Sequence, residues 1–127
     1  MGTAISRELV KQGWLVAMAD INENKQLLDE LGSNARFYNT NVADYNSQAK
    51  TFDQVFKDFG RLDALCANAG IVDRQSWYIL GHRDSDEIPP APDTSSTDVD
   101  WKGVIRYLEL SWRFTLCGKT RRQEELS

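Results

Sequence analysis

The residues of this sequence with chemical potential fall in four short stretches. Gly2 stands just ahead of a helical stretch that begins at Thr3. Asp20 places a carboxylate at the end of an apolar run. Asn41-Val42 follows a short apolar segment and joins an amide to a branched hydrophobe. Asn68-Ala69-Gly70 ends another apolar run, and its small side chains allow close backbone approach to a ligand. Plainer readings stand beside these: Asp20 as a surface carboxylate, Asn41 as a turn residue. Nucleophilic and metal chemistry is thinly provided. His82 is the one histidine, in a polar loop, and Cys66 and Cys117 lack metal-type spacing. Cys66 lies in an apolar run and reads as a small buried hydrophobe.

These stretches are spaced by an alternation of helix and strand patterns. Thr3 to Gln12 carries Ile5, Leu9 and Val10 on one helical face, with Gly13 as a stop. Trp14 to Ala19 is a continuous apolar run ending in Asp20, as in a strand buried on both faces. Asn22 is a candidate cap for a helix over Lys25 to Leu31, which presents Leu27, Leu28 and Leu31 and ends at Gly32. Arg36 to Tyr38 reads as a short strand. Asp44 caps a helix from Tyr45 to Phe59, with Phe52, Val55, Phe56 and Phe59 at helical spacing and Gly60 at its end. Leu62 to Ala67 is the next strand. The alternation predicts an α/β fold on a parallel sheet. It stops near Gly70: Asp73 to Asp98 holds Pro89, Pro90 and Pro92 and a Ser/Thr/Asp cluster. Asp98 to Ile105 begins another helical segment, and the tail from Arg113 to Ser127 is basic and then acidic.

Composition bounds the function. The 127 residues suit one domain, and 41% apolar with 27% charged residues is ordinary for a soluble globular chain. No apolar run approaches the ~20 residues of a membrane span. Arg7, Glu8 and Lys11 interrupt the N-terminal stretch, so it holds no signal-peptide core and a cytoplasmic location is expected. The net charge of −4 points away from nucleic acid. There are no internal repeats.

In Met1 to Gly70 the sequence resembles the short-chain dehydrogenase/reductase family, and the resemblance runs to about residue 105. Gly2 matches the last glycine of that family's TGxxxGxG turn, with Met1 at the variable position before it. The resemblance thus implies that Met1 stands where a longer parent has an internal residue. Asp20 matches the acidic residue, roughly 20 residues after the glycine turn, that holds both ribose hydroxyls of NAD and repels the 2′-phosphate of NADP. Asn41-Val42-Ala43-Asp44 resembles the Asp-Val motif whose Asp holds the adenine, with Asn41 in its place. Asn68-Ala69-Gly70, after Gly60-Arg61-Leu62-Asp63, matches the motif that follows the fourth strand. Asp98 to Val104 resembles the next helix start, with Asp100 where the family has the Asn of its proton relay. The implied cofactor-binding set is Gly2, Asp20, Asn41, Val42, Asn68, Ala69 and Gly70, with NAD preferred to NADP.

The resemblance implies an incomplete doubly wound, Rossmann-type parallel sheet lacking its first strand and its C-terminal half. It gives a partial NAD-binding domain over 1–105, with a loop at 71–97, and an aberrant or disordered tail over 106–127. The family's catalytic Ser and Tyr-x-x-x-Lys are not found: Tyr38, Tyr45, Tyr78 and Tyr107 are followed four residues later by Val42, Ala49, His82 and Ser111. Two readings follow. One is a fragment of an NAD-dependent oxidoreductase acting on an alcohol or carbonyl, similar to the hydroxyprostaglandin-dehydrogenase-like group, inactive as written, its parent a homo-oligomer. The other is a non-catalytic nucleotide-binding or interaction module. The tail also admits a frame error: with permitted codons, a shifted frame from Ser111 spells LAIHFMRKNQTP, an apolar helical stretch with a basic end and a proline stop.

Overall fold

The computed structural model describes residues 1–72, 86–88 and 90–112. Helix α1, Gly2–Lys11, buries Ser6 and turns back through Gly13, whose φ of 86° suits a residue without a Cβ. Strand β1, Val16–Asp20, follows, then helix α2, Lys25–Leu31, which buries Leu27 and Leu31. A 3₁₀ turn, Gly32–Asn34, leads into strand β2, Ala35–Asn39. Helix α3, Tyr45–Phe59, carries the apolar face predicted for it, with Phe52 and Val55 buried. Asp44 caps it, its Oδ1 accepting from the Asn46 N–H at 3.0 Å. Gly60 ends it in the left-handed conformation at φ 72°, its N–H donating to the Phe56 carbonyl at 2.8 Å. A π-helical turn, Thr97–Lys102, then feeds helix α4 over residues 103–112.

β1 and β2 pair in parallel, Val16 opposite Ala35 through to Asp20 opposite Asn39, with α2 as the crossover that parallel pairing needs. The chain is therefore α/β, with a parallel sheet of two strands among the described residues. Its core is divided. Leu27, Leu31 and Ala35 form one cluster with Val10, Met18 and Leu28 against it. Val42, Phe52, Tyr107 and Leu110 form the other, with Ala49, Leu62, Leu65 and Val99 against it.

Four expectations are corrected. Leu62 to Ala67 forms no strand: residues 61–70 have no regular structure, because the space beside them holds no partner with which to share backbone hydrogen bonds. Cys66 is accordingly exposed, not buried. Asn24, not Asn22, caps α2, its Oδ1 accepting from Leu27 N–H at 3.0 Å. Asn22 lies before the cap, in the turn that Asp20 Oδ1 closes by accepting from its N–H at 3.0 Å. The last helix does not stop at Ile105. It continues through residue 112, buries Tyr107 and Leu110, and sends Arg106 Nη1 to the Ala43 carbonyl at 2.7 Å. Residues 106–112, assigned to the tail in the sequence reading, are thus helical, with Tyr107 and Leu110 buried. Tyr78, His82, Cys117, most of the 71–97 loop and the frame reading beyond 112 lie outside the described residues.

Two core tyrosines carry a pH consequence. Burial raises both phenols to about 12, with the Tyr38 hydroxyl also donating to Asp58 Oδ2 at 2.8 Å and Tyr107 also feeling Asp20. A folded-state pKa above the unfolded value favours the neutral phenol in the fold. That stability is complete below pH 10 and is lost as pH rises toward about 12. Phenolate absorbance should therefore show two tyrosines titrating late, and Tyr38→Phe and Tyr107→Phe should each remove one late step. Two late titrants persisting in the double variant would contradict the assignment. The divided core and the unpaired β1 edge carry a second consequence. The chain alone should melt without a sharp transition and scatter more light as its concentration rises. A cooperative melt from a stable monomer would refute this.

Candidate functional site

A cavity of about 1080 Å³ opens between the two halves of the core. β1 contributes all of Val16 to Asp20, and Arg61 to Cys66 with Asn68 and Ala69 face it from the other side of the chain. Four residues singled out from the sequence, Gly2, Asp20, Asn68 and Ala69, line this one space. Gly2 and Asn68 meet directly: a Cβ on Gly2 would lie 3.1 Å from Asn68 Nδ2. A side chain at position 2 would press the Asn68 amide aside by a few tenths of an ångström, so the glycine suits the asparagine beside it.

The start of α1 differs from the starts of α2 and α3. Asn24 and Asp44 cap those two with side-chain oxygens, whereas α1 has no side-chain cap and no acidic residue in its first turn. An uncapped N-terminus presents backbone donors and the positive end of the helix dipole, the features a phosphate requires. The carboxylate of Asp20 stands exposed at the C-terminal end of β1. Its Oδ1 closes a local turn by accepting from Asn22 N–H. A helix start suited to an anion and a carboxylate suited to hydroxyl donors thus share one cavity.

Asn41, Val42 and Gly70 do not line this cavity. Asn41 Oδ1 accepts from Ala43 N–H at 3.0 Å, the bond of a turn residue. Val42 is buried against Phe52 and Tyr107, and its carbonyl accepts from Gln48 Nε2 at 2.5 Å. Gly70 lies beside Asp100, whose Oδ1 would be 3.4 Å from a Cβ there and which accepts from Ile71 N–H at 2.9 Å.

Three residues matter to the site in ways the sequence reading did not give them. Asp100 ties the chain just after Asn68-Ala69-Gly70 to the π-helical turn, a contact that its match to the family's proton-relay Asn did not indicate. Gly103 lets α4 seat against the turn after β2, since a Cβ there would stand 3.0 Å from the Val42 carbonyl. Gln48, fully buried, donates to both the Val42 and Gly103 carbonyls and pins the same junction. Helical spacing gave no sign of it, because a glutamine on an apolar face looks like an interruption. The one signal for Gly103 is its place between Lys102 and Val104 at a helix start.

Acid/base chemistry has little to work with among the described residues. Tyr107 is buried, and its phenol is pushed up to about 12, away from the range a general base needs at neutral pH. No group of His, Cys, Asp or Glu among the described residues is placed to hold a metal ion. No helix among them is long and apolar enough to cross a membrane.

Comparison with known proteins matches this geometry. The family model described as short chain dehydrogenase covers residues 1–108. The chain is 40% identical over 119 residues to the short-chain dehydrogenase/reductase prx6 of Penicillium rubens, covering 90% of this chain and 40% of that protein. It is 34% identical over 84 residues to human 15-hydroxyprostaglandin dehydrogenase [NAD(+)], covering 61% of this chain and 32% of that protein. Among solved structures, a 3-oxoacyl-[acyl-carrier protein] reductase from Brucella melitensis superposes with a TM-score of 0.78 at 22% identity, over 92% of this chain and 46% of that one. That last likeness shows the fold. The chain spans about two fifths of the length of the curated relative it matches over the most residues at 40% identity. Taken with the parallel strands, the glycine-led helix and Asn68-Ala69-Gly70, the match over residues 1–108 places this chain in the short-chain dehydrogenase family.

Proposed function

We propose that this chain is the dinucleotide-binding part of an NAD-dependent oxidoreductase that acts on an alcohol or carbonyl compound. The observation that carries the reading is the shared cavity: Gly2 at the uncapped start of α1 and the exposed Asp20 carboxylate line it together, with Asn68 and Ala69. The phosphates lie at the α1 start and the adenosine ribose at Asp20. Asn41, Val42 and Gly70 complete the cofactor set inferred from the resemblance. Asn41 would serve through its amide, and Val42 and Gly70 by fixing the backbone on either side. Asp20 selects NAD, since a 2′-phosphate would bring a second negative charge to the carboxylate. The human relative whose name carries NAD(+) supports the same choice. We place the protein in the cytoplasm and its parent in a homo-oligomer.

Because no tyrosine of the sequence has a lysine four residues later, the chain binds cofactor without turning substrate over. The same fact supports a second reading, a nucleotide-binding module that works only in association with another polypeptide.

Cofactor choice is tested by titrating NAD and NADP into the chain, and into a version extended by a strand and glycine turn ahead of Met1. NAD should bind tighter in both. Asp20→Ala should narrow the preference by about 1–3 kcal/mol, the usual cost of losing a charged hydrogen-bond partner. Tighter NADP binding would overturn the reading. Incubation of the chain with NAD and a panel of secondary alcohols should give no NADH absorbance. Turnover abolished by Tyr107→Phe would show a catalytic arrangement different from the one described.

A further inference from the structure

We propose that the turn after β2 reads the purine base of the dinucleotide, and that Asn41 makes it accept a keto purine, such as hypoxanthine, at least as well as adenine. This deepens the cofactor reading above and rests on it.

The place of the turn follows from the sheet. Asn39 ends β2 opposite Asp20, and the Thr40 N–H donates to the Asp20 carbonyl at 2.9 Å. Asn41 to Ala43 therefore start one residue past that bond, on the C-terminal edge of the sheet and one strand over from the Asp20 carboxylate. Neighbouring strands lie about 4.8 Å apart, and ligands of parallel sheets bind along the C-terminal edge. With phosphates at the α1 start and a ribose at Asp20, a ligand following this edge brings its base to the turn.

The hydrogen bonds of the turn decide what it can read. The Asn41 N–H donates to Ser47 Oγ at 2.9 Å, and the Asn41 carbonyl accepts from the Asp44 N–H at 3.1 Å. The Val42 carbonyl accepts from Gln48 Nε2 at 2.5 Å. The Ala43 N–H donates to Asn41 Oδ1 at 3.0 Å, and the Ala43 carbonyl accepts from Arg106 Nη1 at 2.7 Å. Every backbone group of the turn but one thus has a partner. The Val42 N–H has none among the described residues, although Val42 is buried. An N–H of a buried residue without an acceptor is rare in a folded chain and marks a place where a ligand or water supplies one. Beside it, Asn41 is exposed, its Oδ1 is engaged within the turn, and its Nδ2 donates to nothing among the described residues. Ser47 and Gln48 from α3 and Arg106 from α4 clamp the turn in this arrangement. What it offers a ligand is therefore a pair of donors.

Purines differ in what they return to such a pair. Along one edge adenine presents an acceptor, N7, and a donor, its amino group, whereas a keto purine presents two acceptors, N7 and O6. The Val42 N–H serves N7 of either base. The Asn41 amide serves O6 as well. An amino group would meet another donor there and turn to water, at little cost because Asn41 is exposed. A carboxylate in place of the amide does the reverse: it accepts from the amino group and repels O6. Ribose and base are thus read by separate side chains, Asp20 for the one and Asn41 for the other.

The test compares NAD with nicotinamide hypoxanthine dinucleotide, which replaces only the amino group by a keto oxygen, by calorimetric titration of the chain and of Asn41→Asp and Asn41→Ala. The unaltered chain should bind the hypoxanthine dinucleotide as tightly as NAD or more tightly. Asn41→Asp should shift the ratio of the two dissociation constants toward NAD by roughly tenfold, with Asn41→Ala between the two. The ratio is taken on one protein preparation, so a loss of folded fraction in a variant weakens both ligands alike and cancels. Tighter binding of NAD by the unaltered chain, or a ratio that Asn41→Asp leaves unmoved, overturns the proposal and leaves the cofactor reading standing. Binding of neither dinucleotide overturns both.

Discussion

Among the described residues β1 is paired along one edge only, and the rest of the structure is arranged around that constraint. A parallel strand cannot be completed by a hairpin neighbour, so each partner must come from a crossover or from a distant part of the chain. β2 arrives by the α2 crossover and fills one side. On the other side the backbone of Val16 to Asp20 meets open space. The consequences spread outward from there. Residues 61–70 stay irregular, Cys66 is left exposed, and the buried apolar residues of the described chain gather in two separate clusters.

That division leaves each half locally well made. In one, Leu27, Leu31 and Ala35 pack beneath Val10 and Met18. In the other, Phe52 and Tyr107 meet with their rings tilted at 57° and 5.6 Å between centroids, and the buried Thr40 shares a 2.7 Å hydrogen bond with Thr51. Surface ion pairs such as Arg7 with Glu30 tie α1 to α2, but exposed pairs of this kind contribute at most about 1 kcal/mol. They cannot replace the burial that joining the halves would supply, since a single large apolar side chain removed from water is worth about 1.5–3 kcal/mol.

Legibility in the sequence followed the range of the forces involved. The caps at Asp44 and Gly60, the buried face of α3 and the position of Asp20 at a strand end are set within a few residues, and each was readable from local spacing. Asn22 and Asn24 were harder to separate, because both can cap; the helix starts at Lys25, which puts Asn24 at the cap position. The strand expected at Leu62 to Ala67 has the right composition, yet composition does not create a strand without a partner, and the partner is not local. Of the seven residues inferred for the cofactor, Gly2, Asp20, Asn68 and Ala69 converge on one cavity, while Asn41, Val42 and Gly70 stand apart from it. The link from Asp100 to Ile71 spans 29 residues, and no periodicity encodes a contact of that range.

The π-helical turn at Thr97–Lys102 holds one more residue than an α-helical turn would need, and that extra residue sets the phase of everything after it. Each residue of an α-helix advances the face by about 100°. With the turn in place, Asp100 reaches the Ile71 N–H while Tyr107 and Leu110, further along, still face inward. Take one residue out of this stretch and the two ends fall out of step: holding Asp100 at Ile71 swings Tyr107 and Leu110 toward water, and holding them inward carries Asp100 off its partner. The length of this short segment is therefore under tighter constraint than most of its side chains. A single-codon deletion there would be costlier than many substitutions, because it alters phase and not merely contact.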